Sequence, residues 1–134
     1  MASKKQKHFE PIEDEAIPLI HSLIDCSVLS VEYDNGGATY ELCVLNDRYL
    51  RMSRNFIADD KGTNVIYSIS LYNEEDDTTE EFAHMETSVQ RRIFMPSEQK
   101  IIDVFNACSK RIIQQEMQLI QNRIMNLTAD YTHN

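Results

Sequence analysis

Hydrophobic positions alternate with polar ones through the middle of the chain and then switch to a spacing of three and four, so strands give way to a long helix. Over residues 28–34, Leu29, Val31 and Tyr33 share one side. After Asn35-Gly36-Gly37 the returning run sets Tyr40, Leu42 and Val44 against Thr39, Glu41 and Cys43. Asn-Gly between two alternating runs is the strongest short-range hairpin signal. Asn46-Asp47 marks a second turn, and the next strand carries Leu50 and Met52 on one face and Tyr49, Arg51 and Ser53 on the other. Beyond a polar turn at Asp59-Asp60-Lys61-Gly62, Val65, Tyr67, Ile69 and Leu71 alternate with Ile66, Ser68, Ser70 and Tyr72. Residues 73–77 form a charged turn, and two weaker strands are predicted over 81–86 and 89–94. Strands joined by hairpins are antiparallel, so the pattern predicts a meander of four to six strands with one face covered by helix.

Helices are predicted at both ends. The first lies within residues 11–25, where Pro11 and the acidic Glu13, Asp14 and Glu15 suit an N-terminus and its dipole. Ile17, Ile20, Leu23 and Ile24 recur at helical spacing and should face the core. Pro18 is tolerable if the regular helix begins near Ala16 or kinks there. The second helix follows a stop at Pro96 and an N-cap at Ser97, with Glu98 in its first turn. Neither glycine nor proline interrupts residues 98–127. Ile101, Phe105, Cys108 and Ile112 form one stripe; Ile113, Met117, Ile120, Ile124 and Leu127 form a second, one residue out of phase. At 1.5 Å per residue this helix is about 45 Å long, against a globule roughly 36 Å across for a chain of this size. Unless it kinks, or both stripes share one broad core face, its later half outreaches the body. Met117, Ile120, Ile124 and Leu127 are then expected to meet a second helix, from another copy of the chain or from a partner. The fold class is α+β: an antiparallel meander with an N-terminal helix and a long C-terminal amphipathic helix. Residues 10–128 read as one domain between short tails at 1–9 and 129–134.

Composition narrows the setting. A chain of 134 residues is of single-domain length, and a core of that size folds without metal or disulfide. No apolar run is long enough to span a membrane. Residues 1–8 carry Lys4, Lys5 and Lys7 with no apolar stretch behind them, which suits a solvated basic tail rather than a secretory signal. Ala2 stands where N-myristoylation requires glycine. The three cysteines, Cys26, Cys43 and Cys108, are widely spaced among apolar neighbours without a CxxC pair, and are expected to be buried free thiols in a reducing, cytoplasmic compartment. Asn126-Leu127-Thr128 matches a glycosylation acceptor but lacks the secretory context that would use it. With 22 acidic against 13 basic residues the net charge is −9. Such a field repels nucleic acid and anionic membranes and attracts basic partners.

Candidate chemistry is sparse. His8 and His133 fall in the tails, and His21 sits beside Ile20 and Leu23 as a helix-boundary residue. His84 with Glu81 and Glu86 shares a strand face, but two ligand types on one strand do not make a metal cage. With glycine only at 36, 37 and 62, no phosphate loop is written, and neither GxSxG nor HExxH occurs. Residues 59–64 lack the ligand spacing and closing Glu of a calcium loop. No catalytic residue, cofactor or metal is expected. Two charged features remain. Glu74, Glu75, Asp76, Asp77, Glu80 and Glu81 crowd six carboxylates into eight residues; such a run is a solvated tip or a docking surface for Lys and Arg. Arg48, Arg51 and Arg54, with Arg91 and Arg92, interleave with aromatics as in nucleic-acid binders, but in so acidic a chain most are expected to pair internally.

In outline, a small acidic helix–strands–helix chain resembles the chaperones of bacterial secretion systems and equally the small acidic inhibitors that phages make against host defences; no motif carries residues across from either. The sequence is therefore expected to encode a non-enzymatic, cytoplasmic interaction module. It masks or inhibits a basic protein surface, forms a homodimer through its last helix, and touches neither nucleic acid nor membrane. A chaperone for an unfolded segment and an enzyme of unrecognised class stay open as alternatives.

Overall fold

The computed structural model describes residues 9–132. The tail residues 1–8, with Lys4, Lys5, Lys7 and His8, and the C-terminal pair that includes His133 lie outside the described residues. In chain order the elements are β1 (Phe9–Glu10), α1 (Ala16–Cys26), β2 (Ser30–Asp34), β3 (Gly37–Leu45), β4 (Arg48–Asp59), β5 (Gly62–Asn73), β6 (Thr78–Ser88) and α2 (Pro96–Thr132). The strands form one antiparallel sheet in the order β1-β6-β5-β4-β3-β2. This is the α+β meander that the alternation predicts, with one addition. Phe9 and Glu10 pair with Met85 and His84 at the β6 edge, and α1 then leads the chain across to β2 at the opposite edge. A two-residue strand lies below what periodicity can detect.

Both helices cover one face. Tyr40, Met52, Ile69 and Ala83 stand in a row across four strands. They are buried under Ile20 and Ile24 of α1 and Ile101, Val104, Phe105, Cys108 and Ile112 of α2. Phe105 meets Tyr67 and Tyr40 edge-on, with ring centroids 5.0 Å and 6.4 Å away. The first helix begins at Ala16, which leaves Pro18 in its first turn, where the missing N–H has no intrahelical partner to lose.

Several local expectations are corrected. The hairpin turns at Asn35-Gly36, but neither residue has positive φ. The glycine the turn requires is Gly37, where a Cβ would stand 1.9 Å from the Arg54 carbonyl oxygen. Val44 leaves the inward face because it is the extra residue of a bulge between Cys43 and Leu45, ahead of a turn with Asn46 at φ 44°. Residues 89–94 are not a strand. Gln90 and Arg91 donate their backbone N–H groups back to Ser88 to form a turn, and the Arg91 side chain hooks the Ile93 carbonyl. Pro96 is the first residue of α2, so Ser97 is inside the helix rather than its cap. Glu98 does the capping, accepting the Met95 N–H at 2.8 Å.

Candidate interaction site

The second half of α2 leaves the body. Arg111 donates to the Ser27 carbonyl, and the Gln115 carboxamide both accepts from the N–H and donates to the C=O of Leu29, at 2.7 and 3.0 Å. Gln115 thus pins the helix to the start of the edge strand β2. From residue 116 to residue 129 every side chain is exposed, a projection of about 25 Å to the end of the helix. The inner stripe at 101, 105, 108 and 112 is buried, whereas Ile113, Met117, Ile120, Ile124 and Leu127 are 55–64 % exposed. One residue out of phase is a rotation of about 100°, so this seam looks sideways, past the sheet rather than onto it. The helix is therefore neither shortened nor folded back, and a single core face does not hold both stripes.

The acidic run occupies the β5–β6 hairpin. Glu74, Glu75, Asp76, Asp77, Glu80 and Glu81 are all exposed, but they divide by role. Asp76 accepts from the N–H and hydroxyl of Thr78, at 3.2 and 2.6 Å. Asp77 takes φ 55° and accepts from the Tyr72 hydroxyl at 2.9 Å. Glu81 accepts from the Ser68 hydroxyl and lies 3.6 Å from Nδ1 of His84. These three shape the hairpin, while the carboxylates of Glu74, Glu75 and Glu80 accept no hydrogen bond among the described residues. A bulge at Phe82 turns Glu81 to the open face while Phe82 packs on the core. Beside it lies a cleft of about 380 Å³ lined by Glu10, Glu13, Glu80 and Glu81 together with Leu71 and Phe82.

The acidic field reaches the neighbouring aromatics. Tyr49 and Tyr72 are opposite each other on β4 and β5. The Glu74 charge, foremost, raises the Tyr49 phenol above its ordinary value, and the hydrogen bond to Asp77 does the same for Tyr72. The Arg51 guanidinium stacks 3.9 Å over the Tyr72 ring and pairs with Glu41. Arg48, Arg51 and Arg54 do not share a face, because strand alternation sends Arg54 inward with Leu50 and Met52, where its charge reaches Cys108. Among the described residues ion pairs close on Arg51 and Arg91 alone of Arg48, Arg51, Arg54, Arg91 and Arg92, so internal pairing covers two of these five rather than most.

Only one cysteine is buried: Cys26 and Cys43 are exposed, while Cys108 is enclosed, its thiol 3.4 Å from the Met52 sulfur and pushed up to about 12 by burial. Cys26 and Cys43 have apolar neighbours in sequence, but both sit on outward faces and are exposed. Among the described residues no three His, Cys, Asp or Glu side chains gather as metal ligands. No described helix is long and apolar enough to cross a membrane. No family model matches the chain, and no curated protein and no solved structure matches it at a significant level.

Proposed function

We propose that this chain is a non-enzymatic, cytoplasmic interaction module whose acidic hairpin docks and masks a basic protein surface, and whose projecting helix joins it to a second copy. One observation carries the docking half: the run does not end as an isolated tip but continues into the cleft, whose lining joins Glu10, Glu13, Glu80 and Glu81 to the apolar Leu71 and Phe82. Lys and Arg have that character in reverse, a charged head on an aliphatic stem. The stem covers Leu71 and Phe82 while the head reaches the carboxylates. The net charge of −9 speeds the approach of such a partner and repels polyanions.

The test is a titration with a Lys/Arg-rich peptide followed by backbone resonances. Shifts are expected at Glu10, Leu71 and Phe82, weakened by salt and lost in Glu80→Gln/Glu81→Gln. Shifts spread evenly over the acidic surface, or unchanged in the variant, would remove the cleft from the proposal. An inhibitor of this kind then blocks its natural partner only while those two carboxylates are present.

A further inference from the structure

The sideways seam of α2 selects an orientation for its pairing. Ile113, Met117, Ile120, Ile124 and Leu127 are spaced four, three, four and three, the seven-residue repeat of a two-helix seam. We infer that two copies pair antiparallel along it, with their sheet bodies at opposite ends. This rests on the reading that the projecting helix joins two copies.

Three observations favour that orientation. With a twofold axis at Asn122, Ile120 faces Ile124 of the second copy and Met117 faces Leu127, so the seam is its own complement. The same track continues toward the body through Lys110, Asn106 and Asp103, all exposed. A parallel, in-register pair sets Lys110 against Lys110 and Asp103 against Asp103, like charges that oppose association. In the antiparallel pair neither faces its own copy. The bodies themselves repel: each chain carries −9, and a parallel pair places both at one end, whereas the antiparallel pair parts them by far more than the roughly 8 Å over which salt screens charge. Among the described side chains one contact opposes the arrangement, Arg123 beside Arg123 of the second copy, but it lies on a wet flank where such pairs count for little. The seam buries on the order of 1,000 Å² in all, the lower limit of a specific interface.

Disulfide trapping reads the orientation. In a Cys26→Ser/Cys43→Ser background, which keeps the buried Cys108, Met117→Cys and Leu127→Cys are made separately; both sites are exposed, so folding is preserved. About an axis at Asn122, two copies of Leu127→Cys stand about 15 Å apart along the helix, beyond the roughly 7 Å limit between bridged Cα atoms. Each variant alone is therefore expected to stay uncrosslinked on oxidation, and their equimolar mixture to give a crosslinked dimer. Self-crosslinking of either variant would establish the parallel pair and overturn the inference. A dimer by light scattering with no crosslink in any combination would move the contact off the seam and overturn it as well. A monomer at high concentration would instead remove the homodimer on which it rests.

Discussion

Glu98 exposes 8 % of its side chain, and a carboxylate so placed remains ionised only because its charge is met at every oxygen. Arg91 donates to both oxygens, at 2.8 and 2.6 Å, and the Met95 N–H adds a third bond. The Arg91 hydrogen bonds, foremost, hold the carboxyl below its ordinary value near 4.5 against the opposing effect of burial. A lowered folded-state value stabilises the fold at pH above about 4.5, and that contribution is lost as pH falls through the lowered value. Arg91→Met leaves a buried acceptor unmatched and is expected to cost about 1–3 kcal/mol at pH 7. The gap between wild type and variant should narrow as pH falls below 4.5, because protonated Glu98 no longer needs the partner. Thermal unfolding across pH 3–7 measures it; a gap independent of pH would mean that Arg91 acts through packing on Phe94, whose ring lies 4.8 Å from its guanidinium.

At the scale of elements, the β5–β6 hairpin separates carboxylates that shape a turn from carboxylates that only charge it. Glu74→Gln/Glu75→Gln/Glu80→Gln removes repulsion without removing a hydrogen bond, so the melting temperature should hold or rise slightly. Tyrosine absorbance in the same variant should titrate at lower pH, since Glu74 no longer raises Tyr49. Asp76→Ala, which strips the Thr78 contacts, should instead destabilise by about 1 kcal/mol. Equal effects of the two changes would undo the division. The five long strands and both helices were legible because each repeats its period many times: Val65 to Tyr72 alternates without a break, and the two α2 stripes hold their spacing over nine positions. Residues 89–94 misled because Val89, Arg91 and Ile93 alternate with Gln90, Arg92 and Phe94, and alternation alone does not reveal an arginine that bonds its own loop. The acidic half of the candidate site was legible as a run, but the cleft was not. It depends on β1 and on a bulge at Phe82, features set by long-range pairing rather than by local pattern.

For the molecule as a whole, the exposure of the seam separates folding from assembly. Ile120→Glu/Ile124→Glu changes side chains that are more than half exposed in the single chain, so the variant should keep its circular dichroism and melting temperature. Its mass by light scattering should fall from dimer to monomer, because two charges in a dry seam have no partner. An unfolded variant would show instead that the seam belongs to the chain's own core. Cleft binding to a basic peptide should survive in the monomer, and DNA and RNA should remain unbound at physiological salt, the net charge being the same sign as theirs.

Gln115 fixes more than a position. It grips the main chain of Leu29 by donor and acceptor together, and a carboxamide held at both ends resists twist as well as slide. With Arg111 one turn earlier on Ser27, and an α2 that contains no glycine or proline after Pro96, the projecting arm and the sheet turn as one piece. Whatever grips the arm also aims the acidic hairpin, like a hand on a compass needle's mount. Gln115→Ala, which removes both bonds to Leu29, should therefore leave peptide binding by the hairpin and self-association of the arm intact and change only the angle between arm and sheet, which small-angle scattering measures.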